Sequence, residues 1–87
     1  MVKKALSKTG KMSSQQAKAA RAWLDLSQDD LSEKSGVTRR SIQDFESGKR
    51  DPQARTLRDL QQALEREGIE FIFSGERGIG IRVRDPE

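Results

Sequence analysis

The chain has 87 residues, of which 32% are apolar and 36% charged, with a formal net charge of +3. That is the length of one small domain with a lean core. It has no Cys and no His, which excludes disulfides, thiolate chemistry, nearly all zinc sites and every Ser-His or Cys-His nucleophile.

Residues 1–12 are rich in Lys, Ser and Gly without periodicity, and are expected to form a flexible basic arm. Ser13 or Ser14 then offers a cap, and Ala17, Ala20 and Leu24 recur at helical spacing, which predicts a first helix to about Asp25. Ser27 caps a second helix, with Asp29 and Asp30 in the first turn where the helix dipole favours acids. Leu31 and Ser35 occupy its inner face, and Gly36 ends it. Thr38 caps a third helix over about 39–47 with Ile42 and Phe45 inward, stopped by Gly48. After the loop at Pro52, Thr56 is expected to cap a fourth helix whose stripe is Leu57, Leu60 and Leu64, ended by Gly68. The tail alternates instead. Ile69, Phe71 and Phe73, then Ile79, Ile81 and Val83, flank Gly75-Glu76-Arg77-Gly78 and predict a β-hairpin. The expected fold is mainly α: an arm over 1–12, a four-helix domain over 13–68, and a hairpin tail over 69–87.

Charge is distributed in blocks. Residues 1–22 carry Lys3, Lys4, Lys8, Lys11, Lys18 and Arg21 with no acid, and residues 37–58 carry six basic and three acidic groups. The intervening stretches are acidic. If folding sets the two basic blocks on one face, the result is a footprint for a polyanion. No apolar run reaches bilayer-spanning length, and no apolar stretch follows the basic start as in a signal peptide. A soluble, cytoplasmic, nucleoid-associated protein without membrane contact is therefore expected. Gly75-x-x-Gly78-x-Gly80 has the wrong order for a nucleotide loop and no helix after it. No cofactor, metal or enzymatic activity is expected.

The informative stretch is Ser27–Phe45: two short helices, a tight turn at Gly36-Val37, and the small Ser32 where the helices cross. That is a helix-turn-helix pattern, whose second helix lies in the major groove of DNA. Its outward positions hold Thr38, Arg39, Arg40, Ser41, Gln43 and Asp44, all able to form hydrogen bonds. The combination S-Q-x-x-L, G-V, S-I-x-x-F-E-x-G, Pro52 and L-x-x-L over about residues 14–66 resembles the Cro/lambda-repressor-like (XRE) transcription regulators. Ser32 departs from the Ala usual there.

The resemblance implies double-stranded DNA as partner and a role for each matching residue. Gln28 would contact a phosphate and support a recognition-helix side chain. Arg39 or Arg40 would read a base edge, Arg being able to bond guanine O6 and N7 bidentately. Thr38, Ser41, Gln43 and Asp44 complete the reading surface, and Lys49 and Arg50 would grip the backbone. Arg21 and Glu46 would form a partly buried structural ion pair.

Two features remain. Trp23 lies beside Leu24 at the edge of the bundle and is expected to need a cover, for which the hairpin is the obvious candidate. A two-stranded hairpin is marginal alone. It either docks on its own helices or pairs with a second subunit through Phe71, Phe73, Ile79, Ile81 and Val83, and the homodimer is the preferred reading. The expected function is a sequence-specific repressor acting as a dimer on an inverted repeat. The alternative is an antitoxin that binds a toxin and represses its own operon.

Overall fold

The computed structural model describes residues 10–84, as four helices followed by a two-stranded antiparallel hairpin. Residues 1–9 of the expected arm lie outside the described residues. The arm does not extend to 12, because Met12 is buried in the core.

Helix α1, Ser14–Leu24, begins in a reciprocal cap. Gln16 donates its backbone N–H to Ser13 Oγ at 3.1 Å, and Ser13 donates its own to Gln16 Oε1 at 2.9 Å. Two of the helix's orphan donors are satisfied this way. The helix ends at Asp25 in the left-handed conformation, φ 59°. Helix α2, Gln28–Ser35, repeats the cap with Ser27 and Asp30 and ends at Gly36, φ 79°. The turn to the next helix is stitched by hydroxyls. Ser32 Oγ donates to Val37 O at 2.6 Å, and Val37 N–H donates to Ser35 Oγ at 3.1 Å. Ser32 thus does more than stay small: an Ala there would leave that carbonyl without this donor.

Helix α3, Arg39–Glu46, is capped by Thr38 and buries Ile42, Phe45 and Glu46. Helix α4, Ala54–Arg66, buries Leu57, Leu60, Ala63 and Leu64. It starts earlier than expected. Gln53, not Thr56, is the N-cap residue, and it makes no side-chain cap bond. Ala54 and Arg55 are strong helix formers, so the helix extends back to the extended residue that follows Pro52. The core joins Met12 and the α1 alanines to Leu31, Val37, Ile42 and Phe45 and to the α4 leucines, with Ile69 added from the hairpin.

Strands β1, Ile69–Ser74, and β2, Arg77–Val83, pair from Ile69↔Val83 to Ser74↔Arg77. The expected four-residue loop shrinks to Gly75-Glu76, with Gly75 at φ 65°. Arg77 and Gly78 join the ladder opposite Ser74 and Phe73, and a bulge follows, where Ile72 pairs with Gly80 and Ile79 is left extra. The hairpin lies on its own helices, β2 along α1 and β1 along α4. Phe73 is buried, and Phe71 and Ile81 pack on the core, whereas Ile79 and Val83 stay exposed. Trp23 is 66% exposed, so the hairpin does not supply the expected cover.

One side chain fixes this docking. Gln16, 3% exposed, donates from Nε2 to Ile72 O at 3.0 Å and Gly80 O at 2.8 Å, on the two strands beside the bulge. A Cβ at Gly78 would meet its carboxamide, so a side chain there would require Gln16 to shift.

Candidate nucleic-acid interface

A rigid helix with a polar outer row is what α2, the turn and α3 produce. Ile42 and Phe45 hold the inner side of α3 against the core. Thr38, Arg39, Arg40, Ser41 and Gln43 are exposed on the other side, and Asp44 is half-buried. Thr38 Oγ1 accepts from Ser41 N–H at 3.1 Å and donates to Ser41 Oγ at 3.0 Å, so these two hydroxyl groups order the first turn. Arg39 lies 3.6 Å from Asp29 and Arg40 3.7 Å from Asp44. Both pairs are loose and both arginines are exposed, so each guanidinium can leave its partner at little cost.

Past α3, Gly48 adopts φ 78°, and the backbone N–H groups of Lys49 and Arg50 both turn back to Asp44 O, at 2.9 and 3.3 Å. Both side chains are exposed. A groove of about 690 Å³ then runs from Arg40, Ser41 and Asp44 past Arg50 to Pro52, Gln53 and Thr56. The start of α4 therefore borders the same surface as the recognition row. With no side-chain cap, its first backbone N–H groups carry the positive end of the helix dipole into that groove. Sequence reasoning missed Gln53, Ala54 and Arg55. The available signal was a strong helix former two residues after Pro52.

Behind the surface, three helices meet at Glu46, 5% exposed. Arg21 of α1 donates to it through Nε at 2.9 Å and Nη2 at 2.7 Å, and through Nη1 to Leu26 O at 2.9 Å. Gln28 of α2 donates from Nε2 to Glu46 Oε1 at 3.1 Å. Burial pushes the Glu46 carboxyl up, but the hydrogen bonds from Arg21 and Gln28 outweigh it and hold the group below its ordinary value. The same bond raises the already high pKa of Arg21 against the opposing effect of burial. Gln28 thus faces α3 at its carboxamide, half-buried, rather than standing free in solvent.

The structure brings Thr38, Arg39, Arg40, Ser41, Gln43, Asp44, Lys49 and Arg50 onto α3 and the loop that leaves it, with Arg21, Gln28 and Glu46 behind them. Among the described residues, no helix is long and apolar enough to cross a membrane. A protein-family model described as Helix-turn-helix matches residues 18–71, from within α1 to the middle of β1. No curated protein matches the chain.

Proposed function

Because the chain belongs to the Cro/lambda-repressor-like helix-turn-helix family and is thus a DNA-binding transcription regulator, we propose that it is a sequence-specific repressor that binds an inverted repeat as a homodimer. The carrying observation is the exposed polar row of Arg39, Arg40, Ser41 and Gln43 on a helix pinned from behind through Glu46. Such a helix enters the major groove, where arginines discriminate guanine by roughly 1–3 kcal/mol per bidentate contact. Lys49, Arg50 and the start of α4 hold phosphates, which position the reader without reading sequence. Affinity then falls steeply with salt.

The antitoxin reading needs an apolar segment left unpaired for a toxin. β1 and β2 are paired with each other and packed on the core, which weighs against it among the described residues.

Selection of bound duplexes from a random pool at physiological salt tests the proposal. The expected product is an inverted repeat with half-site centres about 34–36 Å apart. Binding without sequence enrichment overturns it.

A further inference from the structure

We infer that the outer edge of β2 receives the same edge of a second copy of this chain. The inference rests on the dimeric DNA-binding reading and assigns its contact surface. Among the described residues the sheet has two strands, so each carries a free edge. Arg84 N–H donates to Gly68 O at 2.8 Å, which sets the alternation of the ladder. Gly68 and Arg84, Glu70 and Arg82, and Ile72 and Gly80 then face each other through hydrogen bonds. The backbone groups of Ile81 and Val83 point away from β1. Among the described residues, no hydrogen bond outside the ladder reaches the backbone of Ile79, Ile81 or Val83.

The two edges differ in what flanks them. On β1, Ile69 and Phe73 are buried and Phe71 packs on the core, against α4. On β2, Ile79 is 57% exposed and Val83 is also exposed. Ile79 and Ile81 share a groove with Ala19 of α1, and Trp23 lies one turn further on the same face of that helix. The unpaired backbone and the uncovered apolar side chains thus coincide on one side of the molecule.

Charge and symmetry favour a second copy as the occupant. Antiparallel addition of β2 to itself is a closed two-fold contact, and it yields a four-stranded sheet. With Ile81 opposite its mate, Val83 meets the partner's Ile79, and Arg82 and Arg84 fall opposite the partner's Gly80 and Gly78. No like charges are set face to face. Arg82 is already neutralised by Glu70 at 2.9 Å.

Sedimentation of the full chain tests this. The wild type is expected to sediment as a dimer. Ile79→Lys, which places a charge on the edge without entering the core, should halve that mass with an unchanged circular dichroism spectrum. Ile72→Lys, on the opposite face of the sheet, should leave the dimer intact. Trp23 emission should shift to the blue as wild-type concentration rises, and not in Ile79→Lys. A wild type that stays monomeric at its highest soluble concentration overturns the inference, as does a dimeric Ile79→Lys. A monomer that still selects a single half-site overturns this interface and leaves the DNA-binding reading standing. A dimer that selects no sequence supports the interface and defeats that reading.

Discussion

The α2–turn–α3 unit and the C-terminal hairpin are held in opposite ways. In the first, each element carries its own start and stop: Ser27 with Asp30, Gly36, then Thr38. Packing of Leu31, Val37, Ile42 and Phe45 and the cluster around Glu46 then fix its position. The hairpin has local turn chemistry at Gly75, but its placement comes from distant partners: Ile69, Phe71, Phe73 and Ile81 against the core, and one carboxamide from a helix more than fifty residues away in the chain. A reading head made of several redundant restraints tolerates little movement. A tail whose strand backbones are tied to α1 through one carboxamide can be loosened by one substitution there.

The largest expected effect lies in the first region. Glu46→Ala leaves Arg21 and Gln28 without their shared acceptor, and roughly 3–5 kcal/mol of stability should be lost, seen as a lower melting temperature. Unchanged melting with weaker DNA binding would remove the structural role from Glu46. Its acidity adds a pH test. A carboxylate held below its ordinary value contributes stability above the usual range, near about 4.3, and loses it as pH falls through the lower folded value. Asp30, lowered by its backbone and side-chain bonds to Ser27, acts in the same direction. Wild-type melting should therefore drop in this acid window, and Glu46→Gln should flatten the decline.

Next in size is the reading surface itself. Arg39→Ala or Arg40→Ala should cost about 1–3 kcal/mol on the selected operator and relax one base position, with melting unaffected. Competition binding against single-base variants of the site measures it. Equal loss on every variant would make that arginine a phosphate contact.

The hairpin side of the comparison is sharpened by Gln16→Ala, which removes the donor for Ile72 O and Gly80 O together with half of the α1 cap. About 1–3 kcal/mol is expected. Amide exchange should accelerate in β1 and β2 while α2 and α3 remain protected. Uniform acceleration would mean that the two regions open as one. The smallest effect is a gain. Asp25→Gly relieves a left-handed backbone in a non-glycine residue and should raise stability by up to about 1 kcal/mol, read as a higher denaturant midpoint.

The same contrast explains what was legible in the sequence. The helices of the reading unit were readable because their boundaries are local chemistry, with a hydroxyl before the first turn and a glycine after the last. The polar row followed from helical periodicity once Ile42 and Phe45 were placed inward. Gln16 was not readable. In a helix rich in Ala and Gln it looks like any other good helix former, and only the tertiary position of the hairpin gives its carboxamide two carbonyls to serve. The start of α4 was misplaced for a related reason, since Thr56 has the right hydroxyl but the helix runs back past it without a cap. The strand register shifted because two short alternating segments can close on a two- or four-residue turn with little difference locally, and the bulge at Ile79 is settled by packing on α1. Trp23 is expected to be covered because its size demands burial, but among the described residues it stays 66% exposed.

The carboxamide of Gln16 also bears on how the molecule can come apart. It closes the first turn of α1 and anchors the strand pair at once. Fraying at the front of the bundle and peeling at the back are therefore coupled through one side chain, although they occur at opposite ends of the chain. The family match ends at residue 71, within β1, but the contacts of Gln16 run on to Gly80. A shortened protein ending at that boundary would keep its reading helix and leave the Gln16 carboxamide without the Gly80 carbonyl it serves.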